Sequence, residues 1–200
     1  MVCGLDEAGR GPLAGPVCAA AVVLPPDFNR DCLGDSKKLS PRQREAARAA
    51  VYEGALAWGI GWASAAEIDE INILRASLLA MERAFRAMIL GTRGPAEQEP
   101  GEAGRLPIGL EGLEAIVDGL YVPQLPIPCR ALVKADSQIP EVMAASILAK
   151  TARDRMMERY SWLYPEYDYD RHKGYPTKAH REKIALHGPS PIQRMSFRSG

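Results

Sequence analysis

The sequence has no excess of either charge, because its 25 lysines and arginines are matched by 25 aspartates and glutamates. A protein that binds nucleic acid through bulk charge is strongly basic, so any basic surface on this chain has to be local. The sequence also has no apolar run that approaches the ~18 residues of a membrane-spanning helix. These two absences exclude a uniformly basic binding protein and a protein with a transmembrane helix.

Cysteine is scarce as well, and no C-x-x-C pair occurs. Four scattered thiols favour buried, reduced cysteines over a zinc site or disulfides. No signal peptide precedes the first apolar run, so we expect a soluble, cytoplasmic protein. The 200 residues, of which 46% are hydrophobic, are enough for one domain with a real core. The cysteines are Cys3, Cys18, Cys32 and Cys129.

Apolar patterning predicts five strands and four helices. Short apolar runs bounded by turn residues indicate strands, and the short link between the first two favours antiparallel pairing. Helical spacing and capping residues such as Ser40 before Pro41 indicate helices, and the Gly-, Pro- and Glu-rich residues 91–112 are expected to form a surface loop. The predicted strands are 2–6, 17–24, 55–63, 115–118 and 131–136, and the predicted helices are 41–53, 71–90, 140–163 and 178–186.

Three of the predicted strands end in an aspartate, namely Asp6, Asp118 and Asp136, and Glu7 follows the first. At the carboxyl ends of adjacent parallel strands these side chains would converge. Each like-charged pair at ~4 Å costs about 4 kcal/mol at an effective dielectric of 20. Two divalent cations remove that cost and can activate water for phosphodiester hydrolysis. The pattern therefore favours a metal site.

These residues allow two other interpretations. Asp118 and Asp136 are each followed by typical turn residues, so either alone is better explained as the start of a turn. Residues 9–14 formally match the G-x-G-x-x-G/A dinucleotide fingerprint. The segment that follows them is a predicted strand rather than a helix, and the preceding carboxylates would repel a pyrophosphate. We therefore regard the fingerprint as fortuitous.

The chain resembles type 2 ribonuclease H, the ribonuclease HII family. The resemblance depends on segments that occur in the family's order and span nearly the whole chain. They are G-L-D-E-A-G-R-G-P-L-A-G-P (4–16), D-S-K-K-L-S (35–40), I-V-D-G-L (116–120), A-D-S-Q-I-P-E-V-M-A-A-S-I-L-A-K-T-A-R-D (135–154), H-K-G-Y-P-T (172–177) and H-G-P-S-P-I (187–192).

The resemblance implies an α/β fold with a ribonuclease H-like mixed β-sheet flanked by helices and a small helical C-terminal extension. The single catalytic domain would cover 1–200, with its core at about 1–163 and the extension at about 164–200. The implied enzyme is a monomer that uses Mg²⁺ or Mn²⁺. It hydrolyses the RNA strand of RNA–DNA hybrids and cuts 5′ of single ribonucleotides in duplex DNA, leaving 3′-OH and 5′-phosphate ends.

The resemblance also assigns site residues. The catalytic, metal-binding set is Asp6, Glu7, Asp118 and Asp136. The Gly9-Arg10-Gly11 turn would read the 2′-OH of RNA through its backbone, and Tyr175 would contact the same nucleotide. Further phosphate contacts are expected from a local basic track. Its candidate members are Ser36, Lys37, Lys150, Arg153, His172 and Lys173.

His180 and His187 lack partners at metal-ligand spacing, so we expect them to be structural. Two other functions remain open at this stage. Another metal-dependent nuclease of the same fold would need the acidic residues but not the glycine-arginine-glycine turn or the tyrosine. A catalytically silent nucleic-acid-binding module would be expected to lack one or more of the carboxylates.

Overall fold

A computed structural model describes residues 1–34, 36, 39–91 and 109–197. Lys37 and most of the predicted 91–112 loop lie outside the described residues. The strands are β1 (Val2–Ala8), β2 (Val17–Val23), β3 (Ala57–Ala63), β4 (Glu114–Asp118) and β5 (Cys129–Leu132). The helices are α1 (Pro41–Gly54), α2 (Ala65–Ile71), α3 (Ile73–Leu90), α4 (Pro140–Leu163), α5 (Tyr169–His172) and α6 (Lys178–His187).

The strands form one mixed sheet in the order β3-β2-β1-β4-β5. β1, β2 and β3 pair antiparallel, whereas β1, β4 and β5 are parallel neighbours. The α/β class, the mixed sheet and the antiparallel pairing of the first two strands are thereby confirmed. The carboxyl ends of β1, β4 and β5 consequently lie at one edge of the sheet.

Helices cover both faces of the sheet. α3 packs on β3 so closely that a Cβ on Gly61 would lie 2.1 Å from the carbonyl oxygen of Ala80. α1 and α4 pack on the opposite face against β2 residues such as Ala20 and Val22. α4 also meets β1 at Gly4, where a Cβ would lie 2.1 Å from the backbone of Glu141. Glycine at these crossings lets the helices approach the strands that carry the acidic residues.

Two predicted elements differ from the structure. The helix predicted at 71–90 begins at Ile73 as α3, because Asn72 has a φ of 68° and its side chain caps α3 by accepting from the Arg75 N–H. The preceding helix α2, at Ala65–Ile71, was not predicted. The strand predicted at 131–136 ends at Leu132, because Lys134 adopts a left-handed φ of 59°. Asp136 therefore lies in the short 3₁₀ turn Ala135–Ser137 and not at a strand end.

The C-terminal residues return to the start of the chain. Gly15 N–H donates to Ile192 O at 2.8 Å, and Arg194 N–H donates to Leu13 O at 2.8 Å. A bridge between Ala14 and Gln193 lies between these two bonds. The last part of the chain thus pairs with the connection between β1 and β2. In the described ranges, no helix has both the length and the apolar character needed to cross a membrane.

Candidate active site

Asp6 lies near the end of β1 and is 6% exposed. Its Oδ1 accepts a 2.7 Å hydrogen bond from the Glu7 N–H, and it faces the Ser146 hydroxyl of α4. Burial raises the pKa of Asp6 well above its ordinary value of 3.8. The charges of Glu7 and Asp118 raise this pKa further, whereas the hydrogen bond from Ser146 opposes the shift. A buried carboxylate that faces two others is stabilised by a cation.

Asp118 is the last residue of β4 and lies at the level of Asp6. β1 and β4 pair in parallel with Leu5 opposite Val117, so the next residue on each strand is an aspartate. Asp118 Oδ1 accepts a 2.8 Å hydrogen bond from the Ala135 N–H, which fixes the carboxylate at the sheet edge. The register therefore brings together two residues that are more than a hundred positions apart in the sequence.

Glu7 follows Asp6 and points to the other side of the strand, because successive strand residues alternate between faces. Its Oε1 lies 3.4 Å from Arg10 Nη1, and the arginine side chain is half exposed. Burial raises the pKa of Glu7, Arg10 opposes the shift, and Asp118 raises the pKa again. Glu7 thus belongs to the same electrostatic group as Asp6 and Asp118.

Asp136 joins this edge through its neighbour, since the Ala135 N–H is the donor to Asp118. Among the described residues, no three His, Cys, Asp or Glu side chains are placed so that they could hold a metal ion by themselves. The donors are nonetheless all carboxylate oxygens, which Mg²⁺ and Mn²⁺ prefer, and Mg²⁺ is commonly held by one or two carboxylates together with substrate phosphates. The arrangement fits an open magnesium-type site.

The glycine-arginine-glycine turn and Tyr175 lie side by side. A Cβ on Gly11 would lie 3.8 Å from Tyr175 Cε1, and the Leu13 N–H donates to Gly174 O at 2.8 Å. Gly9 has a φ of 99°, and a Cβ there would collide with the Arg153 side chain. Tyr175 itself is 41% exposed. Two motifs separated by more than 160 residues therefore form one surface next to Glu7.

Arg153 does not lie on the predicted basic track, because it is only 1% exposed. Its guanidinium donates to three backbone carbonyls, at 3.0 Å to Pro16 O, 3.0 Å to Lys173 O and 3.2 Å to Ala14 O. It also lies 5.9 Å from the centre of the Tyr175 ring. The prediction that Arg153 contacts phosphate directly is at odds with this burial, and its visible contacts support the tyrosine and the turn from beneath.

Ser36 is also buried, at 3% exposure. Its hydroxyl lies 2.9 Å from the Ser146 hydroxyl, which in turn faces Asp6. A surface phosphate contact is incompatible with this position, and Ser36 instead supports the residue that bonds Asp6. Lys150 and Lys173 remain partly accessible but form ion pairs with Asp154 at 2.6 Å and with Glu158 at 2.7 Å, respectively.

His172 does not match the predicted phosphate contact either, because it is buried and both ring nitrogens are used internally. Its Nδ1 accepts from the Gly174 N–H at 3.2 Å, so Nε2–H donates to Tyr167 O at 2.8 Å. The ring stacks on His180, with the ring centres 4.3 Å apart. His180 is fully buried and lies 3.0 Å from Tyr175 O through Nδ1, which agrees with the structural role predicted for it. His187 packs edge-on against Tyr167.

A model of the ribonuclease HII family matches residues 3–93 and 115–199 of this chain. The chain belongs to the ribonuclease HII family. Ribonuclease HII of Treponema denticola is 54% identical over 200 residues, which cover 98% of both chains. As a member of the ribonuclease HII family, the protein is an enzyme, a hydrolase of the ribonuclease H type.

Solved structures show the same fold at low sequence identity. The ribonuclease H2 of Pyrococcus horikoshii has a TM-score of 0.68 and 24% identity, with 99% of this chain and 94% of that chain covered. Bst-RNase HIII in complex with Mn²⁺ has a TM-score of 0.70 and 18% identity, with 99% and 67% covered. These neighbours confirm the ribonuclease H-like α/β fold of this chain.

Sequence reasoning missed three residues that support the candidate site. Arg194 is fully buried and contacts the glycine-arginine-glycine turn, Ser146 bonds Asp6, and Asp69 of α2 holds the C-terminal segment. A capping box, Ser64 with Glu67, marks α2 in the sequence and could have predicted that helix. A single arginine or serine carries no comparable local signal, so Arg194 and Ser146 could be found only from the folded chain.

Proposed function

We propose that this protein hydrolyses the RNA strand of RNA–DNA hybrids and cuts on the 5′ side of a single ribonucleotide in duplex DNA. The products are 3′-OH and 5′-phosphate ends. Asp6, Glu7, Asp118 and Asp136 hold Mg²⁺ or Mn²⁺. The observation that carries the proposal is the proximity of the carboxylates at the ends of β1 and β4, of which Asp6 is buried, to the surface formed by the glycine-arginine-glycine turn and Tyr175.

The carboxylates are the catalytic side of this proposal. Burial and mutual repulsion raise the pKa values of Asp6 and Glu7, so the charged forms are stabilised by cations at neutral pH. When bound, two divalent ions supply an activated water and stabilise the leaving oxygen. Asp6 and Asp118 provide ligand oxygens on one face of the sheet, and Glu7 provides them from its edge. Ser146 and the Ala135 N–H keep Asp6 and Asp118 in their orientations.

The turn and the tyrosine are the recognition side. A 2′-OH both donates and accepts hydrogen bonds, and it is the group that distinguishes RNA from DNA. Within Gly9–Gly11, the exposed Gly11 can approach a ribose closely because it has no Cβ, whereas the missing Cβ of Gly9 makes room for the Arg153 side chain. Tyr175 offers an exposed ring and hydroxyl beside Gly11, and the half-exposed Arg10 can reach a neighbouring phosphate. The ribonucleotide would therefore lie between this surface and the carboxylates.

The decisive experiment compares three duplexes: an RNA–DNA hybrid, a DNA duplex with one ribonucleotide, and an all-DNA duplex. We expect Mg²⁺ or Mn²⁺ to support cleavage of the first two and chelator to abolish it, with the cut 5′ of the single ribonucleotide. Binding without cleavage in either metal would indicate a silent binding module. Cleavage of the all-DNA duplex would indicate a different nuclease of this fold.

Thermal unfolding tests the metal assignment separately from activity. Binding to the native state alone adds about 2.7 kcal/mol at a hundredfold excess over Kd, so Mn²⁺ should raise the melting temperature of the parent protein. Asp6→Asn should lose most of that rise. Asp27→Asn, at an exposed position, is the matched control and should keep the full rise. An equal rise in Asp6→Asn and in the parent would place the ion elsewhere.

A further inference from the structure

We propose that Arg194 is a positioning residue for substrate recognition. It holds the carbonyls of Gly9 and Arg10 from beneath the turn, so that the N–H groups of Arg10 and Gly11 face the nucleic acid. The inference depends on the proposed function, in which this turn contacts the ribonucleotide. It adds a residue from the far end of the chain whose side chain never touches substrate.

The contacts are those of one guanidinium with three carbonyls of a single loop. Arg194 is fully buried. Its Nη2 donates to Gly9 O at 2.6 Å, its Nη1 donates to Arg10 O at 3.0 Å, and its Nε donates to Gly15 O at 2.8 Å. The planar fork of arginine can bind several acceptors at fixed angles, which a lysine ammonium cannot do. The side chain therefore sets the orientation of two consecutive peptide groups.

The orientation of the two carbonyls determines where the N–H groups of the same peptides point. A trans peptide is planar, so its C=O and the N–H of the next residue point in opposite directions, and no described peptide bond is cis. Since the carbonyls of Gly9 and Arg10 point inward to Arg194, the N–H groups of Arg10 and Gly11 point outward. Within the described part of the chain, neither N–H donates to a protein acceptor. Both donors are left for a ligand oxygen.

The backbone on both sides of the Arg194 side chain is fixed by hydrogen bonds. The Arg194 N–H is paired with Leu13 O, so the arginine backbone is tied to the loop it supports. On the other side, the Asp69 carboxylate accepts from the Met195 N–H at 2.8 Å and from the Ser196 N–H at 2.9 Å. The C-terminal segment is thus held between α2 and the turn, and the Arg194 side chain has little freedom to move.

The charge of Arg194 is also available to the turn. Within the described residues, no carboxylate forms an ion pair with its guanidinium, whereas a buried cation is normally paired, and the Asp69 carboxylate acts on Arg194 only through its charge. Backbone carbonyls solvate the cation instead. A positive charge behind two outward N–H groups makes the surface of the turn attractive to phosphate and hydroxyl oxygens.

The test measures ribose selectivity in binding, so that it does not depend on catalysis. Fluorescence anisotropy in chelator gives Kd for a DNA duplex with one ribonucleotide and for the matched all-DNA duplex, at fixed salt because phosphate contacts are salt-dependent. The variants are Arg194→Lys, which keeps the charge, and Arg194→Met, which removes it. Ser190→Ala is the control, because it removes a buried hydroxyl contact to Tyr169 in the same segment without touching the turn.

We expect Arg194→Lys to reduce the preference for the ribonucleotide duplex by about 10- to 100-fold, the range given by the loss of one charge-assisted hydrogen bond. Arg194→Met should reduce the preference at least as much and should also weaken binding to all-DNA. Ser190→Ala should keep the preference for the ribonucleotide duplex, even if its melting temperature falls as much as that of the Arg194 variants. Unchanged selectivity in both Arg194 variants, or equal loss in Ser190→Ala, would overturn the inference.

Amide hydrogen exchange in the parent protein supplies a readout that needs no variant. The amides of Arg10 and Gly11 should exchange rapidly in the free protein and become protected when the hybrid is bound in chelator. Amides that are protected before binding, or remain unprotected after it, would contradict the inference. A parent protein that cuts none of the ribonucleotide-containing duplexes would instead contradict the proposed function, so the two failures are distinguishable.

Discussion

Asp6 and Glu7 are adjacent in the sequence, yet the fold gives their carboxylates different surroundings. Asp6 faces α4 and Ser146, whereas Glu7 faces Arg10 at the edge of the sheet. Both feel the charge of Asp118, which lies on the neighbouring strand. Replacing Asp118 therefore tests how the charges of the three carboxylates affect activity without disturbing the packing around Asp6.

Replacing Asp118 by asparagine should abolish cleavage while leaving the fold intact. The amide keeps the shape and can still accept from the Ala135 N–H, but it removes one charge from the proposed metal site. Less like-charge repulsion should keep or raise the melting temperature of the metal-free protein. Cleavage assays with circular dichroism check this, and near-normal turnover by a folded Asp118→Asn would contradict the assignment of the carboxylates.

Tyr175→Ala should reduce kcat/KM by roughly ten- to a hundredfold, because stacking of one base contributes ~1–3 kcal/mol. The loss should be larger on DNA with one ribonucleotide than on a continuous hybrid, which offers many ribose hydroxyls and alternative registers. Trp162→Ala, at a 79% exposed position, is the control and should leave both rates unchanged. Equal losses on both substrates would make Tyr175 a general binding or packing residue.

At the level of elements, close packing between α3 and β3 maintains one side of the sheet. Gly59 and Gly61 alternate along β3 on the face that α3 covers, and a Cβ on either would meet helix backbone at less than 2.5 Å. Backbone cannot move aside as a flexible side chain can. These glycines are thus required by the approach of the helix, and not by a left-handed conformation.

Gly61→Ala should lower the free energy of unfolding by about 1–3 kcal/mol or more, because the added methyl group overpacks a contact 2.1 Å from the Ala80 carbonyl oxygen. Gly109→Ala is the matched control, since a Cβ on Gly109 would meet no other atom within 4 Å. Urea unfolding of both variants measures the difference. A stability of Gly61→Ala equal to that of Gly109→Ala would show that α3 shifts without cost.

At the level of the whole molecule, the C-terminal segment and α6 hold the glycine-arginine-glycine turn and Tyr175 in place. Arg194 reaches the turn after β1, and His180 bonds the carbonyl of Tyr175 from α6. Burial lowers the pKa values of His172 and His180 below their ordinary value of 6.5. The stability of this region should therefore depend on pH.

We expect the neutral forms of these histidines to stabilise the fold. A histidine with a depressed folded pKa binds fewer protons when native, so stability rises with pH and is lost as pH falls below about 6.5. His180→Gln should flatten the unfolding free energy between about pH 7.5 and 5.5 relative to the parent. His187→Gln, at an exposed position, should follow the parent, and identical slopes for all three proteins would refute the assignment.

Three nearby charged side chains also shift the pKa of His172. Asp168 and Asp170 raise its pKa and Lys183 lowers it, but burial is the larger effect. Comparing variants with the parent cancels the titration of the distant carboxylates, which would otherwise add their own dependence on pH.

Much of the fold could be predicted from local patterns. The apolar runs predicted β1 to β4 within two residues at each end, and Ser40 and Pro41 predicted the start of α1. The errors arose where a single backbone conformation ends an element. Asn72 separates α3 from α2, which was not predicted, and Lys134 ends β5 early. The periodicity of apolar residues indicates which face of an element is buried, but it does not show at which residue the element ends.

In the candidate site, the types of the residues allowed us to predict which residues take part, but not which of them are buried. Asp6, Asp118 and Tyr175 lie at the expected edge because strand ends and turns are local features. Arg153 and His172 were expected at the surface, since basic residues on the helix after Asp136 and just before Tyr175 could form a local track for phosphates. In the structure, the side chains of both residues are hydrogen-bonded to backbone groups. Those that bind Arg153 include carbonyls from a distant part of the chain.

The sequence by itself determined the family, the mixed sheet and the order of the carboxylates, because these depend on local pattern and motif. Only the tertiary structure decided that Asp6 and Asp118 share one level of the sheet, and that Arg194 and Arg153 bond the carbonyls of the 9–16 segment from within. The physical reason is that β-sheet register and the pairing of buried cations depend on contacts between residues far apart in the chain. No local pattern specifies which distant backbone will supply the partner.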